Sequence, residues 1–259
     1  MRALLRLVRD VLAIALGALA FLVFWKAVIA LGNYPAFILP APEAVAARFV
    51  EGWADGTIAR HAYWTLLEIL SGFVVGAAIA LPVGYLLARS PLAERLLSPY
   101  IVAAQATPVL ALAPLLALWL GTGLLSKLVI CALIVFFPIA VSTTVGIRSV
   151  DRGLLEMGSS FRASRRQLLT KLEIPAALPQ ILGGMRVGVT LAVIGAIVGE
   201  WAGGDRGLGV LINLARGSLF DTPLMFATLA TIALIGVVLY VIVRLVEWRL
   251  VGWQRYPAS

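Results

Sequence analysis

The amino-acid sequence predicts an all-α membrane protein that crosses the bilayer six times and keeps both termini in the cytoplasm. Of its 259 residues, 61% are hydrophobic and only 13% are charged, whereas soluble domains carry about 25% charged residues. Too little polar surface remains to keep a globule in water, so lipid must solvate much of the chain. Runs with little or no charge are long enough to span a bilayer, and most basic residues fall on one side of them.

Composition also excludes several kinds of site. The net charge of +8 would suggest nucleic acid in a soluble protein, but here Lys and Arg are expected in cytoplasmic loops, and no nucleic-acid partner is predicted. Cys131 is the single cysteine and His61 the single histidine, which leaves no disulfide framework and no metal site rich in these residues. The sequence has no GxxxxGK[ST] motif for ATP phosphates and no catalytic cluster, so we expect neither an enzyme nor a cofactor in this chain.

The first span is predicted at residues 11–31, and the arginines that precede it place the N-terminus inside. An outer segment follows over residues 33–61. Within it, Pro42 suits the first turn of a helix, and apolar residues recur at every fourth position from Val45. This pattern predicts a short amphipathic helix on the outer surface of the membrane.

Three spans are expected in the middle of the chain. Gly72 and Gly76 form a small-xxx-small pair that permits close helix packing in the second span. The third span contains Pro108 and Pro114, whose freed backbone carbonyls need partners from neighbouring helices or water. Lys127 marks the outer end of the fourth span. The predicted spans are residues 69–88, 100–120 and 128–147, with an inner loop at 89–99 and an outer turn at 121–123.

The last two spans are predicted at residues 181–201 and 222–243, with an outer loop at 203–221 between them. Arg186 is expected to reach the inner interface, and the paired glycines of the fifth span are expected to serve helix packing. In this topology fifteen of the 21 Lys and Arg residues lie inside and six lie outside. Shifting any span would invert several loops and destroy that asymmetry, so six spans with both termini inside is the favoured arrangement.

A polar insert at residues 154–179, LLEMGSSFRASRRQLLTKLEIPAALP, separates the fourth and fifth spans. Its spacing resembles the EAA loop of permease subunits of bacterial ABC importers. In that pattern Glu-Ala-Ala is followed after three residues by Gly, and after nine more by Ile-x-Leu-Pro. Glu156 stands at the Glu, and Arg162 stands at the Gly. Leu172, Ile174 and Pro175 stand at the Ile, Leu and Pro, while Met157 and Gly158 replace the two alanines.

Three neighbouring stretches extend the resemblance. TPVLALAPLLALWLGTGLLSK at 107–127, FFPIAVSTTVGI at 136–147 and GEWAGGDRGLGVLI at 199–212 look like permeases of the nitrate, sulfonate and taurine type. The combination of FRAS, IPAALP, VIGAIVGEW, DRGLG and FDTPL looks closest to a branch associated with riboflavin or the pyrimidine precursor of thiamine. The resemblance implies the type I ABC importer permease fold. It places an N-terminal helix and outer segment at 1–62, a five-helix transmembrane domain at 63–247 and a cytoplasmic tail at 248–259.

The resemblance gives residues 154–179, called the coupling segment below, a role in contacting an ATPase subunit. In such importers the segment forms two short helices, and the first seats in a cleft of the ATPase. Pro175 is expected to end the helix and redirect the chain. The other interpretation is a solvated basic loop. The residues assigned to coupling are Glu156, Phe161, Arg162, Ala163, Ser164, Arg165, Leu172, Ile174 and Pro175.

Arg162 is the main departure from the family pattern. A glycine at this position would supply a turn with positive φ between the two short helices. Arginine adopts that conformation only at some cost in free energy. Either the turn differs here, or Arg162 compensates by contacting the ATPase.

Polar residues in the spans are candidates for lining the translocation path. Gln105 is the strongest of them, because an amide cannot bond its own helix backbone as easily as a hydroxyl can. The Thr side chains have a second interpretation, which is hydrogen bonding to helix backbone. Glu200, near the outer end of the fifth span, is expected to be a solvated carboxylate or part of an outer gate or receptor contact. The full set is Gln105, Thr107, Thr143, Thr144, Thr190 and Glu200.

The resemblance implies a permease subunit of an ATP-driven importer in the inner membrane of the cell. Its expected partners are an ABC ATPase subunit that carries ATP and Mg²⁺, a second permease copy or paralogue (a homodimer is favoured), an extracytoplasmic substrate-binding protein and the lipid bilayer. The expected substrate is a small organic nutrient, a vitamin or precursor such as riboflavin or thiamine pyrimidine, moved by alternating access.

Two alternatives stay open. The same machinery could import a sulfonate, taurine or nitrate. The chain could also be an ion-coupled secondary transporter, which would need ionisable residues at the bilayer midplane and internal repeats. The predicted spans carry almost no such residues, and no convincing repeat is evident in the sequence.

Overall fold

The computed structural model describes residues 2–252, so Arg255 and most of the predicted cytoplasmic tail lie outside the described residues. Within 2–252 the chain forms eleven α-helices, one π-helical turn and no β-strand, which confirms the all-α prediction. The helices are α1 (Arg2–Gly32), α2 (Pro42–Ala54), α3 (Thr57–Arg89), α4 (Pro91–Ala106), α5 (Val109–Leu120), α6 (Leu124–Arg148), α7 (Arg152–Ser160), α8 (Arg165–Leu168), the π-turn (Leu169–Glu173), α9 (Ile174–Trp201), α10 (Leu208–Gly217) and α11 (Thr222–Leu250).

Five helical stretches are long and apolar enough to cross a membrane, and α4 with α5 provides a sixth crossing if the two count as one broken span. The third span predicted at 100–120 is not one straight helix, because the chain bends by 104° between α4 and α5. Pro108 explains the break. It lacks an N–H for the helix ladder and drives the preceding residue, Thr107, into an extended conformation with ψ 124°.

Several helices begin before the spans predicted for them, and α3 and α4 show the reason. α3 starts at Thr57, well before the predicted span, and the Asp55 carboxylate accepts the Thr57 N–H at 2.8 Å. α4 starts at Pro91, inside the predicted loop at 89–99, where the Ser90 hydroxyl caps the helix. Both first turns contain polar or charged residues, so a criterion based on apolar runs places these helix starts too late.

The segment predicted as an outer loop, residues 203–221, contains the short helix α10. Gly207, with φ +115°, turns the chain into this helix. Leu208 and Leu211 of α10 are buried. The last span then begins at Thr222, as predicted.

The described chain divides into two compact units, and the larger one comprises residues 60–210 and the chain from 231 onward. Its core lies where α3, α6 and α9 pack, around buried residues such as Ile69 and Ile139. A Cβ at Gly72 would collide with the Cβ of Cys131 on α6, and one at Gly76 would lie 2.7 Å from the Ala132 oxygen. The glycines of α9 approach α6 in the same way, which confirms their predicted packing role. These glycines are Gly184, Gly188, Gly195 and Gly199.

The smaller unit comprises residues 1–59 and 211–230. It contains the predicted outer helix α2, which begins at Pro42 as expected. Arg48 of α2 lies 2.7 Å from the Asp221 carboxylate, and this hydrogen bond raises the pKa of the Arg48 guanidinium. The rings of Trp25 and Phe226 approach to 5.6 Å between centroids.

Candidate functional site

The coupling segment contains the short helix α7 and a tight turn, as the resemblance predicts, but α8 after the turn continues through the π-turn into α9. The Asp151 side chain caps α7 by accepting the Leu154 N–H at 3.1 Å. Ser164 and Gln167 form a capping box at the start of α8, in which each side chain accepts the backbone N–H of the other. Local sequence therefore specifies both helix starts in this segment.

Arg162 adopts φ +57° in the turn between α7 and α8. The Arg162 N–H donates to the Ser159 oxygen at 2.9 Å, and the Ala163 N–H donates to the Gly158 oxygen at 3.1 Å. This is the Schellman arrangement, in which the residue after a helix takes the left-handed conformation. The alternative that the turn differs from the glycine pattern is therefore wrong. A contact between Arg162 and an ATPase stays a prediction.

The outward surface of the coupling segment combines apolar and basic side chains. Phe161 is 80% exposed, and Leu154 and Met157 are each more than 40% exposed. Arg165 and Glu156 are exposed as well. Large apolar side chains left in water beside charges are typical of a protein contact surface, which agrees with docking on a partner.

Pro175 does not end a helix, so that prediction is wrong. The chain runs as one helical stretch from Arg165 to Trp201, and Pro175 lies in the first turn of α9. A π-turn over Leu169–Glu173 immediately precedes it. Because proline has no N–H to donate, a local change of helical register lets the helix continue past it. Motion of the second half of the coupling segment is therefore joined directly to α9.

Glu200 is buried, with 1% of its surface exposed, so the prediction of a solvated outer carboxylate is wrong. One carboxylate oxygen accepts the Thr65 hydroxyl at 2.6 Å, and the other accepts the Gly209 N–H. The Thr65 hydroxyl in turn accepts the Leu208 N–H at 2.7 Å. Glu200 and Thr65 thus satisfy the first free N–H groups of α10 and fix its start.

Lys127, predicted at the outer end of the fourth span, also has an internal partner. It is buried, and its Nζ lies 3.0 Å from the Glu68 carboxylate, which is buried too. Removing one member of such a pair would leave a charge without a counter-ion in an apolar interior. Glu68 lies just outside the span predicted at 69–88, which is why apolar-run analysis missed the pair.

A polar recess of about 280 Å³ lies beside this ion pair. The Arg206 guanidinium covers the Trp64 ring at 4.5 Å from its centroid. Arg206 also pairs with Asp205 and lowers the pKa of that carboxyl. The recess is lined by Trp64, Glu68, Thr122, Gly123, Leu124, Lys127, Asp205 and Arg206.

The structure separates the path candidates into two groups. Thr143 is buried and donates to the Ile139 oxygen at 2.7 Å, so it lines no open space within this chain. Thr144 donates to the backbone oxygens of Ala140 and Gly84. The interpretation of hydrogen bonding to helix backbone thus applies to both threonines. Glu200 belongs to the same group of candidates, because it is buried and its partners lie within the protein.

The remaining path candidates have open surface. Gln105 and Thr107 are exposed, next to the break between α4 and α5. Thr190 donates to the Val187 oxygen at 2.9 Å, yet it borders a recess of about 280 Å³ together with Arg186 and Tyr240. Among residues 2–252 no group of three or more His, Cys, Asp or Glu side chains is arranged to hold a metal ion.

Arg186 has an internal partner that the sequence did not indicate. Its Nε lies 3.2 Å from the Glu247 carboxylate, and both side chains are mostly buried. The pair joins α9 to α11. Arg186 therefore has a defined ionic contact, and its place at the inner interface stays a prediction.

Comparison with known proteins agrees with this architecture. Residues 80–252 match the family described as binding-protein-dependent transport system inner membrane component. The riboflavin transport system permease protein RibX of Chloroflexus aurantiacus is 48% identical, over 98% of this chain and 94% of RibX. The formylaminopyrimidine transport permease protein ThiX of Halalkalibacterium halodurans is 33% identical, over 92% of this chain and 94% of ThiX.

A solved structure shows the same fold. An inward-facing conformation of the MetNI methionine ABC transporter superposes with a TM-score of 0.65 and 21% identity, over 74% of this chain and 95% of the matched chain. The type I permease fold expected from the resemblance is confirmed. The chain belongs to the family of binding-protein-dependent transport system inner membrane components and is a multi-pass permease subunit of an ABC importer.

Proposed function

We propose that this permease subunit forms the path for a vitamin or vitamin precursor, with riboflavin as the first candidate. The observation that carries the proposal is the 48% identity to RibX along nearly the whole of both chains. The 33% identity to ThiX supports the vitamin and precursor branch, since the name of that relative describes a permease for formylaminopyrimidine. The chain is a transport subunit and no enzyme, and ATP is hydrolysed on a separate subunit.

The proposed cycle assigns a task to each side of the membrane. The ATPase binds the exposed surface of α7, and a binding protein delivers substrate at the outer side. Closure of two ATPases moves two coupling segments toward each other and opens the path outward, and hydrolysis resets it. Two copies of this chain are proposed to form the path. Gln105, Thr107 and Thr190 are the path candidates with open surface.

Competition for uptake tests the substrate. A riboflavin-auxotrophic bacterium that expresses this permease with its ATPase and binding protein is given labelled riboflavin at low concentration. We expect uptake that excess unlabelled riboflavin abolishes and that taurine, a sulfonate or nitrate leaves unchanged. Uptake of labelled taurine, sulfonate or nitrate but not riboflavin would contradict the vitamin assignment and support the alternative substrate class.

A further inference from the structure

We infer that the ion pair between Glu173 and Arg89 links the coupling segment to α3, so that α3 moves with the segment during the transport cycle. Both are positioning residues, because they act through the helices that carry them. The inference rests on the proposed docking of the ATPase on the coupling segment.

The pair is bidentate. Arg89 Nη2 contacts Glu173 Oε1, and Arg89 Nε lies 3.3 Å from Glu173 Oε2. Two parallel N–H···O contacts between a guanidinium and a carboxylate fix orientation as well as distance. A fork of this kind holds two helices together more rigidly than a single contact between point charges does.

Burial makes the pair difficult to separate. The Glu173 side chain is only 6% exposed, while that of Arg89 is 37% exposed. If the two elements moved apart, a carboxylate would stay inside the protein without its counter-ion, which is strongly unfavourable. Arg89 is also the last residue of α3, where the helix dipole favours a positive charge. The arrangement therefore favours joint movement of the two elements.

The position of Glu173 in the chain determines which elements the ion pair connects. It is the last residue of the π-turn and directly precedes α9. The covalent chain already connects the coupling segment to α9. The ion pair adds a second connection, to a helix that lies far away in sequence. Displacement of the segment would then reach α3 and α9 together.

The other end of α3 carries the contacts that fix the start of α10. Thr65 donates to Glu200 and accepts the Leu208 N–H, and Glu68 pairs with Lys127. From Thr65 to Arg89 the helix rises by about 36 Å, at about 1.5 Å per residue, which exceeds the hydrocarbon core of a bilayer, about 30 Å. The single continuous helix α3 therefore extends from the ion pair with the coupling segment to the contacts that Thr65 and Glu68 make near the start of α10.

Stimulation of ATPase activity by the binding protein tests the inference. The complete complex is reconstituted in liposomes, and ATP hydrolysis is measured with and without binding protein. In Glu173→Gln, which preserves side-chain volume, we expect the stimulation factor to fall by about fivefold, at the low end of measured coupling between sites. Arg89→Lys keeps both charges but loses the fork, so it should give an intermediate value and serves where Glu173→Gln does not assemble.

Two further variants make the test specific. Glu247→Gln removes a comparable pair, Arg186–Glu247, which joins α9 to α11 without involving the coupling segment. We expect the wild-type stimulation factor for this control. The exchange R89E/E173R restores the pair with reversed polarity and should recover part of the stimulation, because an acidic residue at the end of α3 still opposes the helix dipole. Wild-type stimulation in Glu173→Gln or Arg89→Lys would overturn the inference, and so would a folded exchange variant that stays unstimulated.

The same vesicles separate this inference from the proposed substrate. Riboflavin uptake is measured in the wild-type complex alongside the stimulation factor. Stimulated hydrolysis without riboflavin uptake would contradict the substrate but leave the coupling readout intact. If stimulation is lost in the Glu173→Gln complex and retained in the wild-type complex, the ion-pair link is supported whichever nutrient the wild type carries.

Discussion

At the scale of single residues, Glu200 shows what a linear sequence conceals. Its position near the end of an apolar run predicts exposure to water, yet the carboxylate faces the protein and accepts from Thr65 and Gly209. Lys127 is buried in the same way, against Glu68. Position along a span predicts depth in the membrane, but burial depends on which neighbouring helices the side chain meets.

Glu200→Ala should reduce the free energy of unfolding by about 1–3 kcal/mol, because the N–H of Gly209 and the Thr65 hydroxyl lose a buried acceptor. Thermal unfolding in detergent measures the loss, and hydrogen exchange at Leu208 and Gly209 locates it. Glu200→Gln keeps one acceptor oxygen and should lose less. Unchanged exchange at α10 in the alanine variant would contradict the capping role.

Gly207 provides a second residue-scale test of the same site. Its φ of +115° disfavours any side chain, and a Cβ would collide with the Glu200 carboxylate. Gly207→Ala should therefore lower the thermal unfolding temperature clearly. Gly217→Ala is the matched control in α10, because a Cβ there meets nothing within 4 Å. Equal unfolding temperatures for the two variants would contradict the close packing at Gly207.

Arg162 separates turn geometry from partner binding. Arg162→Gly should stabilise the turn, or leave it unchanged, since glycine adopts positive φ without the cost of about 1–3 kcal/mol that other residues incur. If the guanidinium contacts the ATPase, the same variant should bind the ATPase more weakly. Arg162→Ala controls for loss of charge with the strain retained. Wild-type ATPase affinity in the glycine variant would show that Arg162 is only a turn residue.

At the scale of helices, the sequence predicted packing better than boundaries. Small residues at spacing four in the second and fifth spans correctly marked the faces that approach α6. Helix starts at Thr57 and Pro91 were missed, because polar first turns interrupt the apolar pattern although they favour helix caps. The continuation of the helix through Pro175 was missed because a π-turn compensates for the absent N–H.

The glycine face of α3 gives a test at this scale. A methyl group at Gly72 would collide with Cys131 on α6, so Gly72→Ala should force the two helices apart and cost about 1–3 kcal/mol. Gly236→Ala is the matched control, since a Cβ there meets nothing within 4 Å. Unfolding of both purified variants by denaturant measures the difference. Equal stabilities would show that α3 and α6 do not pack this closely in the membrane.

At the scale of the whole molecule, charge distribution predicted a topology that helix contacts alone do not determine. The orientation of the termini stays a prediction, and cysteine labelling tests it. In a Cys131→Ala background, Phe37→Cys should react with an impermeant maleimide in right-side-out vesicles, because the segment before α2 is predicted outside. Phe161→Cys should react only in inside-out vesicles. Both side chains are well exposed, at 73% and 80%. Reversed labelling would contradict the orientation.

Family membership follows from the coupling-segment spacing and the flanking spans, so the sequence alone was sufficient to predict it. The internal ion pairs were not predictable, because Arg89 and Glu173, or Glu68 and Lys127, are brought together only by helix packing. Short stretches such as DRGLG and FDTPL suggest only a branch of the family. The proposal of riboflavin as the first candidate is supported by overall similarity to RibX and ThiX.

The most direct test of ATP-driven import uses liposomes that hold the permease, its ATPase and an enclosed buffer. Binding protein with labelled riboflavin is placed on the side of the membrane opposite the coupling segment, and ATP is supplied on the same side as the coupling segment. We expect accumulation only when ATP and the ATPase are both present, and no effect of collapsing ion gradients. Accumulation without the ATPase that stops when an ion gradient is collapsed would contradict the account and identify a secondary transporter.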